Sequence, residues 1–271
     1  MTFEQLNLIP ALLRAVQEKG YTAPTPIQAQ AIPPALDGRD VLGCAQTGTG
    51  KTAAFALPIL QRLWKPEHAR GPRPVLALVL APTRELATQI DESFRAYGKH
   101  SGLKSTVIFG GVGYDKQRKA LLQGVDIVVA TPGRLLDLMK ERAVRFDGLR
   151  ALVLDEADRM LDMGFLPDVK RVLAALPRQK QTMCFSATMP PEIQRLVDGI
   201  LHSPAKVAVA PVATTAEKVE QAVYFVDKNR KAELLIGLLK QPEVTRALVF
   251  TRTKRGANRL AEKLSGAGLR A

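Results

Sequence analysis

The segment Ala45–Thr52 combines residue types that suit the binding of phosphate groups. It reads Ala-Gln-Thr-Gly-Thr-Gly-Lys-Thr, follows the short apolar run Val41–Cys44 and precedes the helix-forming run Ala53–Leu57. A strand, a glycine-containing turn and a helix together present backbone N–H groups and a positive helix terminus to a polyphosphate. Gly48 and Gly50 allow the main chain to approach phosphate oxygens closely. The pattern therefore predicts a polyphosphate site.

Two side chains of this segment have specific expected roles. Lys51 is expected to reach the β- and γ-phosphates, and Thr52 is expected to offer its hydroxyl to Mg²⁺. Ala45 departs from the general pattern, which begins with glycine. Taken alone, the eight residues also fit an ordinary glycine-containing turn between a strand and a helix.

A pair of acids, Asp155 and Glu156, follows the apolar run Ala151–Leu154. In a parallel sheet the end of that strand faces the same crevice as the phosphate loop. Asp155 is therefore predicted to hold Mg²⁺, directly or through water, and Glu156 to orient and polarise an attacking water. An acidic first helical turn is the structural alternative. The presence of Lys51 and Thr52 upstream favours the functional interpretation.

The elements around these motifs alternate between strands and helices. Runs such as Leu78–Leu80 are apolar on both faces, as buried parallel strands are. The predicted strands are Val75–Leu80, Thr106–Phe109, Asp126–Ala130, Ala151–Leu154, Thr182–Ser186 and Val207–Ala210. The predicted helices include Leu8–Lys19, Arg84–Tyr97, Tyr114–Leu122, Pro167–Leu176 and Pro191–Leu201. The fold class is therefore α/β, with a doubly wound, mostly parallel sheet over residues 1–210.

A second, shorter region follows. Residues 211–218 are rich in small residues and threonine, and are predicted to be a linker. Residues 219–271 are predicted to form two strands, Val223–Val226 and Ala247–Thr251, and two helices, Lys231–Leu239 and Arg255–Ser265. So few elements bury too little surface to be stable alone, so we expect an incomplete second α/β lobe belonging to a longer protein.

The two regions share a sequence pattern. The segment Ala77–Arg84 aligns with Ala247–Lys254, since both contain an apolar run followed by threonine and a basic residue. Coincidence within a strand-helix unit is one explanation. A duplicated lobe is the interpretation that we prefer.

Charge and composition limit the possible partners. The chain has 39 Lys and Arg against 26 Asp and Glu, a net charge of +13, and 46% of its residues are hydrophobic. It is therefore a globular protein whose charge suits a polyanion, either nucleic acid or an anionic membrane surface, although a basic protein without such a partner has the same composition.

The cellular compartment is predicted from what the sequence contains. Cys44 and Cys184 lie in apolar runs, outside any C-x-x-C pair, and are interpreted as reduced core residues. The first residues lack the basic and apolar regions of a signal peptide, and the apolar runs are too short to cross a bilayer. We expect a cytoplasmic protein without a membrane partner.

Taken together, the motifs resemble those of DEAD-box ATP-dependent RNA helicases, and the amino-terminal segment resembles a bacterial, RhlE-like branch. The resemblance covers residues 1–210 and rests on Pro24–Gln28, Ala45–Thr52, Pro82–Ala87, Gly110–Gly111, Thr131–Arg134, Asp155–Asp158 and Ser186–Thr188. Val249–Thr253 resembles the first motif of the family's second lobe. The resemblance implies a RecA-like P-loop NTPase lobe followed by the beginning of a second such lobe.

The resemblance also implies a site for ATP and Mg²⁺. Lys51, Asp155 and Glu156 would be catalytic, with Thr52 and Asp155 holding Mg²⁺. Gln28 would read the adenine edge, where it is otherwise a polar residue of a helix N-terminus. Phe3 would stack on the base or, equally, anchor the first helix in the core. The full nucleotide set is Phe3, Tyr21, Pro26, Gln28, Ala45, Gln46, Thr47, Gly48, Thr49, Gly50, Lys51 and Thr52.

A second set of residues is implied to contact RNA. Arginines, glycine N–H groups and helix N-termini bind the phosphate backbone without reading sequence, although glycine and threonine are also common at strand-to-helix turns. The RNA set is Pro82, Thr83, Arg84, Gly110, Gly111, Thr131, Pro132, Gly133 and Arg134. Residues implied to couple hydrolysis to lobe closure are Asp158, Ser186, Ala187 and Thr188.

The predicted function is the amino-terminal core of an ATP-dependent RNA helicase, which would couple ATP hydrolysis to local unwinding of RNA duplexes in the whole protein. Its RNA partners would be single strands or short duplexes, and RNA-processing or ribosome-assembly complexes are possible settings. The chain alone is expected to be weakly active or inactive. The alternatives are a P-loop ATPase that does not act on nucleic acid and an inactive nucleic-acid-binding fragment. The residues implied to bind the phosphate backbone do not indicate whether the nucleic acid is RNA or DNA.

Overall fold

Seven short strands form one sheet in the computed structural model, which describes residues 1–64, 73–209, 220 and 222–271. The strands are β1 (Val41–Cys44), β2 (Ala77–Leu80), β3 (Ser105–Ile108), β4 (Ile127–Ala130), β5 (Ala151–Leu154), β6 (Gln181–Ser186) and β7 (Ala205–Ala208). Their order is β3-β4-β2-β5-β6-β1-β7, and each pair of neighbours is parallel. The predicted parallel α/β fold is confirmed.

Helices connect these strands. The first region contains a 3₁₀ turn (Glu4–Leu6) and the helices α1 (Pro10–Glu18), α2 (Pro26–Leu36), α3 (Lys51–Leu63), α4 (Arg84–Tyr97), α5 (Asp115–Leu122), α6 (Pro132–Lys140), α7 (Ala157–Asp162), α8 (Leu166–Ala174) and α9 (Pro191–Ile200). The second region contains α10 (Lys231–Leu239) and α11 (Lys254–Gly266). The predicted helices are all present, with ends that differ by a few residues.

The sheet has a hydrophobic core on each face. Successive residues of a strand point to opposite faces, and accordingly Val153 belongs to one apolar cluster while Leu152 and Leu154 belong to the other. In the first cluster the Phe55 and Phe185 rings lie 5.4 Å apart. A Cβ at Gly43 in β1 would overlap the Phe185 ring, so this close packing requires glycine. Helices on both faces confirm the doubly wound arrangement.

The two cysteines lie on neighbouring strands, β1 and β6, and have different environments. Cys44 is partly buried, whereas Cys184 is fully buried, and burial raises the pKa of the Cys184 thiol to about 12. A thiol with so high a pKa is unreactive at neutral pH. Within the described ranges, no helix combines the length and apolarity that crossing a membrane requires.

The chain divides into two compact units, Met1–Val212 and Ala213–Ala271. The predicted linker, residues 211–218, lies outside the described residues, as does Ala210 at the end of the last predicted strand of the first lobe. The exact domain limits therefore stay a prediction.

In the second unit the helix predictions are correct and the strand predictions are wrong. Residues 223–226 and 247–251 form no strand, and Phe225, Leu248 and Phe250 are almost fully exposed. A strand is held by hydrogen bonds to a neighbouring strand and by side chains packed on its faces. Neither segment has such a neighbour within the described part of this unit, so the apolar sequence alone does not produce a strand.

Candidate active site and nucleic-acid interface

The predicted motifs lie side by side along one edge of the sheet. In the order β4-β2-β5-β6-β1, the carboxyl ends of the strands lead into residues 131–134, 82–84, 155–158, 186–188 and 45–52. The edge where parallel strands end is where α/β proteins bind ligands. The sheet order, which the sequence motifs do not specify, thus gathers these five motifs at one edge of the sheet.

The phosphate loop has the backbone conformation that its glycines permit. Gly48 and Gly50 have φ angles of 80° and 92°, and Gly50 is the N-cap of α3. A Cβ at Gly50 would overlap the Gln28 amide, whose Nε2 donates to the Gly50 carbonyl oxygen at 3.1 Å. The Thr49 hydroxyl closes the turn by donating to the Gln46 carbonyl at 2.8 Å. The loop is therefore fixed by one hydrogen bond within the turn and one from α2.

Lys51 is buried and points back into this loop. Its Nζ donates to the Ala45 carbonyl oxygen at 2.9 Å, and the Ala45 N–H donates to the Ser186 carbonyl of β6 at 3.1 Å. Lys51 and Asp155 both line a cavity of about 600 Å³, together with Thr47, Gly48, Gly50, Thr52 and Glu156. The prediction that the lysine and the acid pair face one pocket is thus correct.

Asp155 is a fully buried carboxylic acid. Burial raises its pKa to about 6, although the nearby Lys51 cation acts in the opposite direction. One of its oxygens accepts the Glu156 N–H at 3.1 Å. Asp155 and Thr52 line the same cavity, and a carboxylate and a hydroxyl are oxygen ligands that Mg²⁺ accepts, so their chemistry fits the predicted ion.

Glu156 is placed by an unusual backbone conformation. Its φ and ψ angles are 50° and 54°, the left-handed region that few residues other than glycine adopt. Its side chain is buried and pairs with the Arg159 guanidinium at 3.1 Å. Such strain is typical of functional sites. Sequence reasoning did not identify Arg159, which also lines the cavity and lies one helical turn after Glu156.

The far end of the cavity contains aromatic side chains. Tyr21 and Tyr97 line it, and their hydroxyl groups are 3.2 Å apart. Phe3 is buried in the core, and its ring stacks on Tyr21 with centroids 6.4 Å apart. Phe3 is thus a core residue that packs against Tyr21, which agrees with the second of its two sequence interpretations, and its stacking on the base stays a prediction. Pro26 is exposed at the start of α2, outside the cavity lining.

Gln28 has two roles in this structure. Its Oε1 accepts the Thr25 N–H at 3.0 Å, as a residue of a helix N-terminus does, and its Nε2 holds Gly50 of the phosphate loop. It also lines the cavity. The two interpretations offered from sequence are therefore compatible. The contact with Gly50 was missed, since nothing in the sequence brings α2 against the loop after β1.

The predicted coupling residues are joined by hydrogen bonds. Asp158 accepts both the N–H and the hydroxyl of Thr188 at 2.8 Å, and its own N–H donates to the Ser186 hydroxyl at 3.1 Å. Although burial alone would raise the pKa of Asp158, the hydrogen bonds from Thr188 and Ser186 lower it below its usual value. Ala187, between these partners, is exposed. The loops after β5 and β6 are thereby tied together.

Two arginines, one exposed and one partly exposed, lie farther along the same edge. Arg84, the first residue of α4, donates to the Gly110 carbonyl at 3.3 Å and lies against Gly111, whose φ is 81°. Arg134, in α6, donates from both terminal nitrogens to the Val112 carbonyl at 3.0 Å. Both guanidinium groups are thus anchored on the loop after β3. We call these two residues the arginine pair.

An aromatic ring also belongs to this surface. The Arg134 guanidinium lies over the Tyr114 ring, 3.8 Å from its centroid. Sequence reasoning missed Tyr114 and Val112, although an aromatic residue next to a glycine-rich loop is a usable signal for nucleic-acid binding.

Other residues of the predicted RNA set shape the backbone. Pro82, Thr131 and Pro132 are buried, and Pro132 starts α6. Thr83 is the N-cap of α4, and its hydroxyl accepts the Leu86 N–H at 3.2 Å. Gly133 is partly exposed in the first turn of α6. These side chains set the direction of two helix N-termini, and the arginine pair supplies the accessible charge.

Fold and site together define a class of protein. A lysine and a threonine that follow a glycine-containing loop, with a buried acid on a neighbouring parallel strand, characterise a RecA-like P-loop NTPase lobe. The chain belongs to the DEAD/DEAH box helicase family, which it matches over residues 25–196. The resemblance stated from the sequence is confirmed, and a P-loop ATPase of another class is not favoured.

Individual relatives extend over nearly all of this chain. ATP-dependent RNA helicase SrmB of Escherichia coli (strain K12) is 46% identical over 271 residues, which are 99% of this chain and 61% of SrmB. ATP-dependent rRNA helicase RRP3 of Candida albicans is 46% identical over 96% of this chain and 48% of that protein. The chain thus spans about half to three fifths of these curated relatives.

A solved structure confirms the fold. A DEAD box protein from the hyperthermophile Methanococcus jannaschii superimposes with a TM-score of 0.71 at 37% identity. The match covers 99% of this chain and 71% of that one. Assignment to an RhlE-like branch stays a prediction.

Proposed function

We propose that this chain is the amino-terminal core of an ATP-dependent RNA helicase, which binds ATP·Mg²⁺ and the RNA backbone. The observation that carries the proposal is the arrangement of one sheet edge. The phosphate loop and the acid pair lie at the ends of β1 and β5, and the arginine pair lies beyond β2 and β4. One edge of the sheet would then bind both the nucleotide and the RNA that the protein unwinds.

In this proposal the cavity binds ATP through groups that are already in place. The N–H groups of the loop and of the first turn of α3 surround the phosphates, and Lys51 exchanges the Ala45 carbonyl for a phosphate oxygen. Tyr21, backed by Phe3, offers a flat ring to the base. Gln28 has one amide hydrogen left to donate, because the other is bonded to Gly50.

Hydrolysis would break the bond between the γ-phosphorus and the bridging oxygen while water forms a new one. Glu156 would accept the water proton and hold the water in line. This requires its carboxylate to be shared with, or released from, Arg159. When bound, Mg²⁺ would neutralise charge on the β- and γ-phosphates, with Thr52 and Asp155 as its protein ligands.

RNA would be held by its phosphates, independently of sequence. The arginine pair supplies two cations that are at least partly exposed, and the N-termini of α4 and α6 add backbone N–H groups. Single strands and short duplexes both present the required phosphates. The hydrogen bonds that Asp158 donates to Ser186 and accepts from Thr188 would transmit the state of the acid pair to β6.

The activity, substrates and partners of the whole protein are part of this proposal. The printed names of SrmB and RRP3, an RNA helicase and an rRNA helicase, support RNA as the substrate and RNA-processing or ribosome-assembly complexes as the setting. Free cysteines, one of them fully buried, support a reducing location such as the cytoplasm.

The test is ATP turnover by the full-length protein without nucleic acid, with single-stranded RNA and with single-stranded DNA. We expect RNA to stimulate turnover and DNA to stimulate it less. We also expect Arg134→Ala to weaken the RNA stimulation. Turnover that RNA leaves unchanged would refute RNA as the substrate and favour a P-loop ATPase of another type.

A further inference from the structure

A second group of cations lies at the opposite edge of the same sheet. The strands β6, β1 and β7 are neighbours, so the residues that precede them meet at their amino-terminal ends. These residues, 38–40, 178–180 and 202–203, line a concavity of about 470 Å³. We call this concavity the amino-edge patch. It is separate from the nucleotide cavity, because β1 is four residues long and spans about 13 Å.

The amino-edge patch carries three cations. Arg39 and Arg178 are exposed and Lys180 is partly buried. Among the described residues none of the three forms an ion pair, whereas Arg145, Arg171 and Arg195 each have a carboxylate partner. Lys180 is fixed by a hydrogen bond from its Nζ to the Pro177 carbonyl at 2.9 Å. Unpaired cations around a concave surface attract anions.

The patch contains one carboxylate, that of Asp40, and its oxygens already accept hydrogen bonds from the backbone. Asp40 accepts the N–H groups of Thr182 and His202, each at 2.7 Å, and thereby joins the starts of β1 and β6 to the loop before β7. It is buried, whereas the two arginines are exposed. Three cations against this one carboxylate leave an excess of positive charge, even with His202 neutral.

The chemistry of the lining indicates which anion fits. The described residues that line the patch are glycine, charged and polar residues, without an apolar side chain. Protein interfaces have an apolar or aromatic core, which this surface lacks. Phosphate groups are bound by arginine, lysine and hydroxyl groups, which this surface provides, Ser203 included.

We propose that the amino-edge patch is a second binding site for the phosphodiester backbone of RNA. The inference rests on the proposed function, because RNA is the polyanion that this protein is proposed to meet. The patch contains no aromatic carbocycle for a base to stack on, so binding is independent of sequence. An RNA that contacts both edges has to pass around the lobe, so only long RNAs gain affinity from the patch.

The test compares the full-length protein with the double variant Arg39→Gln/Arg178→Gln. Affinity for long poly(U) and for a short oligo(U) is measured over a range of salt concentrations, without nucleotide. Losing two phosphate contacts should reduce the slope of log K against log [salt] for poly(U) by about 1.4. Affinity for the short oligo(U) should change less than about twofold, because the arginine pair alone binds it.

The matched control is Lys19→Gln/Lys170→Gln, which removes two exposed charges elsewhere and should leave the poly(U) slope at its wild-type value. Arg178→Gln alone should reduce the slope by about half as much. This single variant replaces the double variant in the test if the double variant has a lower melting temperature than the wild type. An unchanged slope, or an equal loss for short and long RNA, overturns the proposal. Loss of poly-L-glutamate binding with poly(U) binding retained assigns the patch to an acidic protein and also overturns it.

The experiments distinguish failure of the proposed function from failure of the second binding site. A wild-type protein whose ATP turnover does not respond to RNA refutes the helicase assignment before any variant is compared. A wild-type protein that responds to RNA, with a double variant of unchanged salt slope, refutes only the second site.

Discussion

The edge of the sheet that carries the motifs has a nucleotide side and an RNA side, and the two sides hold their charges in different ways. On the nucleotide side, Lys51 and Asp155 are buried and their polar atoms contact backbone groups of the same loops. On the side proposed to bind RNA, Arg84 is exposed and Arg134 is partly exposed, and backbone carbonyl oxygens hold their guanidinium groups in place. The first half has buried charges that are arranged in advance, whereas the charges of the second lie at the surface.

This difference follows from what each half is proposed to bind. A reacting phosphate gains most from fixed charges in a water-excluded site, where electrostatic interactions are strong. A polymer backbone has to enter and leave a groove, so exposed cations that each contribute a modest amount are suited to it. Substitutions on the nucleotide side should therefore have large effects, and those on the RNA side smaller, salt-dependent ones.

The largest effect is expected for Lys51→Ala. Removing a buried cation that would contact the β- and γ-phosphates should lower RNA-stimulated ATP turnover about 10²–10³-fold, as the loss of a transition-state donor does. Steady-state ATPase assays on the full-length protein measure it. Binding of RNA without nucleotide should stay at the wild-type level. A loss of both activities would mean that the two halves of the edge are not separate.

Asp155 should make the nucleotide side sensitive to pH. Its pKa in the folded protein is about 6, raised by burial from a usual value of 3.8. The folded state thus binds the proton more tightly than the unfolded state, which favours folding at low pH. The contribution of Asp155 to stability should fall as the pH rises from about 4 to about 6, by up to about 3 kcal/mol. Urea denaturation of the nucleotide-free protein at several pH values measures this change.

The variant Asp155→Asn is the control for this titration. Without an ionisable group at position 155, the decrease in stability between pH 4 and pH 6 should be reduced and the protein should be more stable at pH 7. Affinity for ATP·Mg²⁺ should rise with pH through about 6 in the wild type, since Mg²⁺ needs the ionised carboxylate, and should be low throughout in the variant. A wild-type affinity that is flat over this range would contradict the role of Asp155.

On the RNA side, each single substitution should change the affinity for RNA by about tenfold. Arg84→Ala and Arg134→Ala should each weaken RNA affinity by roughly that factor and reduce the salt slope by about 0.7 for one lost phosphate contact. Fluorescence titrations at several salt concentrations measure both quantities. Nucleotide affinity without RNA should not change, since neither arginine lines the cavity.

Arg134→Lys makes this test more specific. It keeps the charge but loses the two-nitrogen contact with Val112 and the stacking on Tyr114. An intermediate affinity is expected, because lysine is a point charge without a planar fork. Wild-type affinity in this variant would show that charge alone is needed.

Much of the fold could be predicted, because buried parallel strands have a clear sequence pattern. The apolar run in β5 and the glycine after α1 at position 20 mark elements whose local sequence agrees with the tertiary structure. The apolar runs at 223–226 and 247–251 carry the same local pattern and are not strands, because pairing depends on neighbours that local sequence does not specify.

The reactive residues of the site could be predicted better than the residues that hold them in place. Lys51, Asp155 and Glu156 follow from residue type and spacing alone. The burial of Phe3 behind Tyr21, the Arg159 contact with Glu156 and the position of Tyr114 under Arg134 each join separate loops. Such contacts depend on the sheet order, which no local motif encodes.

The smallest effect is expected at two helix caps with the same sequence pattern. The Thr83 hydroxyl accepts the Leu86 N–H at 3.2 Å in the first unit, and the Thr253 hydroxyl accepts the Gly256 N–H at 3.0 Å in the second. Thr83→Ala should destabilise the first unit by about 1 kcal/mol, and it should also weaken RNA binding slightly, because the cap fixes the helix turn that carries Arg84. Thr253→Ala, which removes an equivalent cap, should leave the main thermal transition unchanged. Equal shifts of the melting temperature in both variants would mean that the two units unfold together.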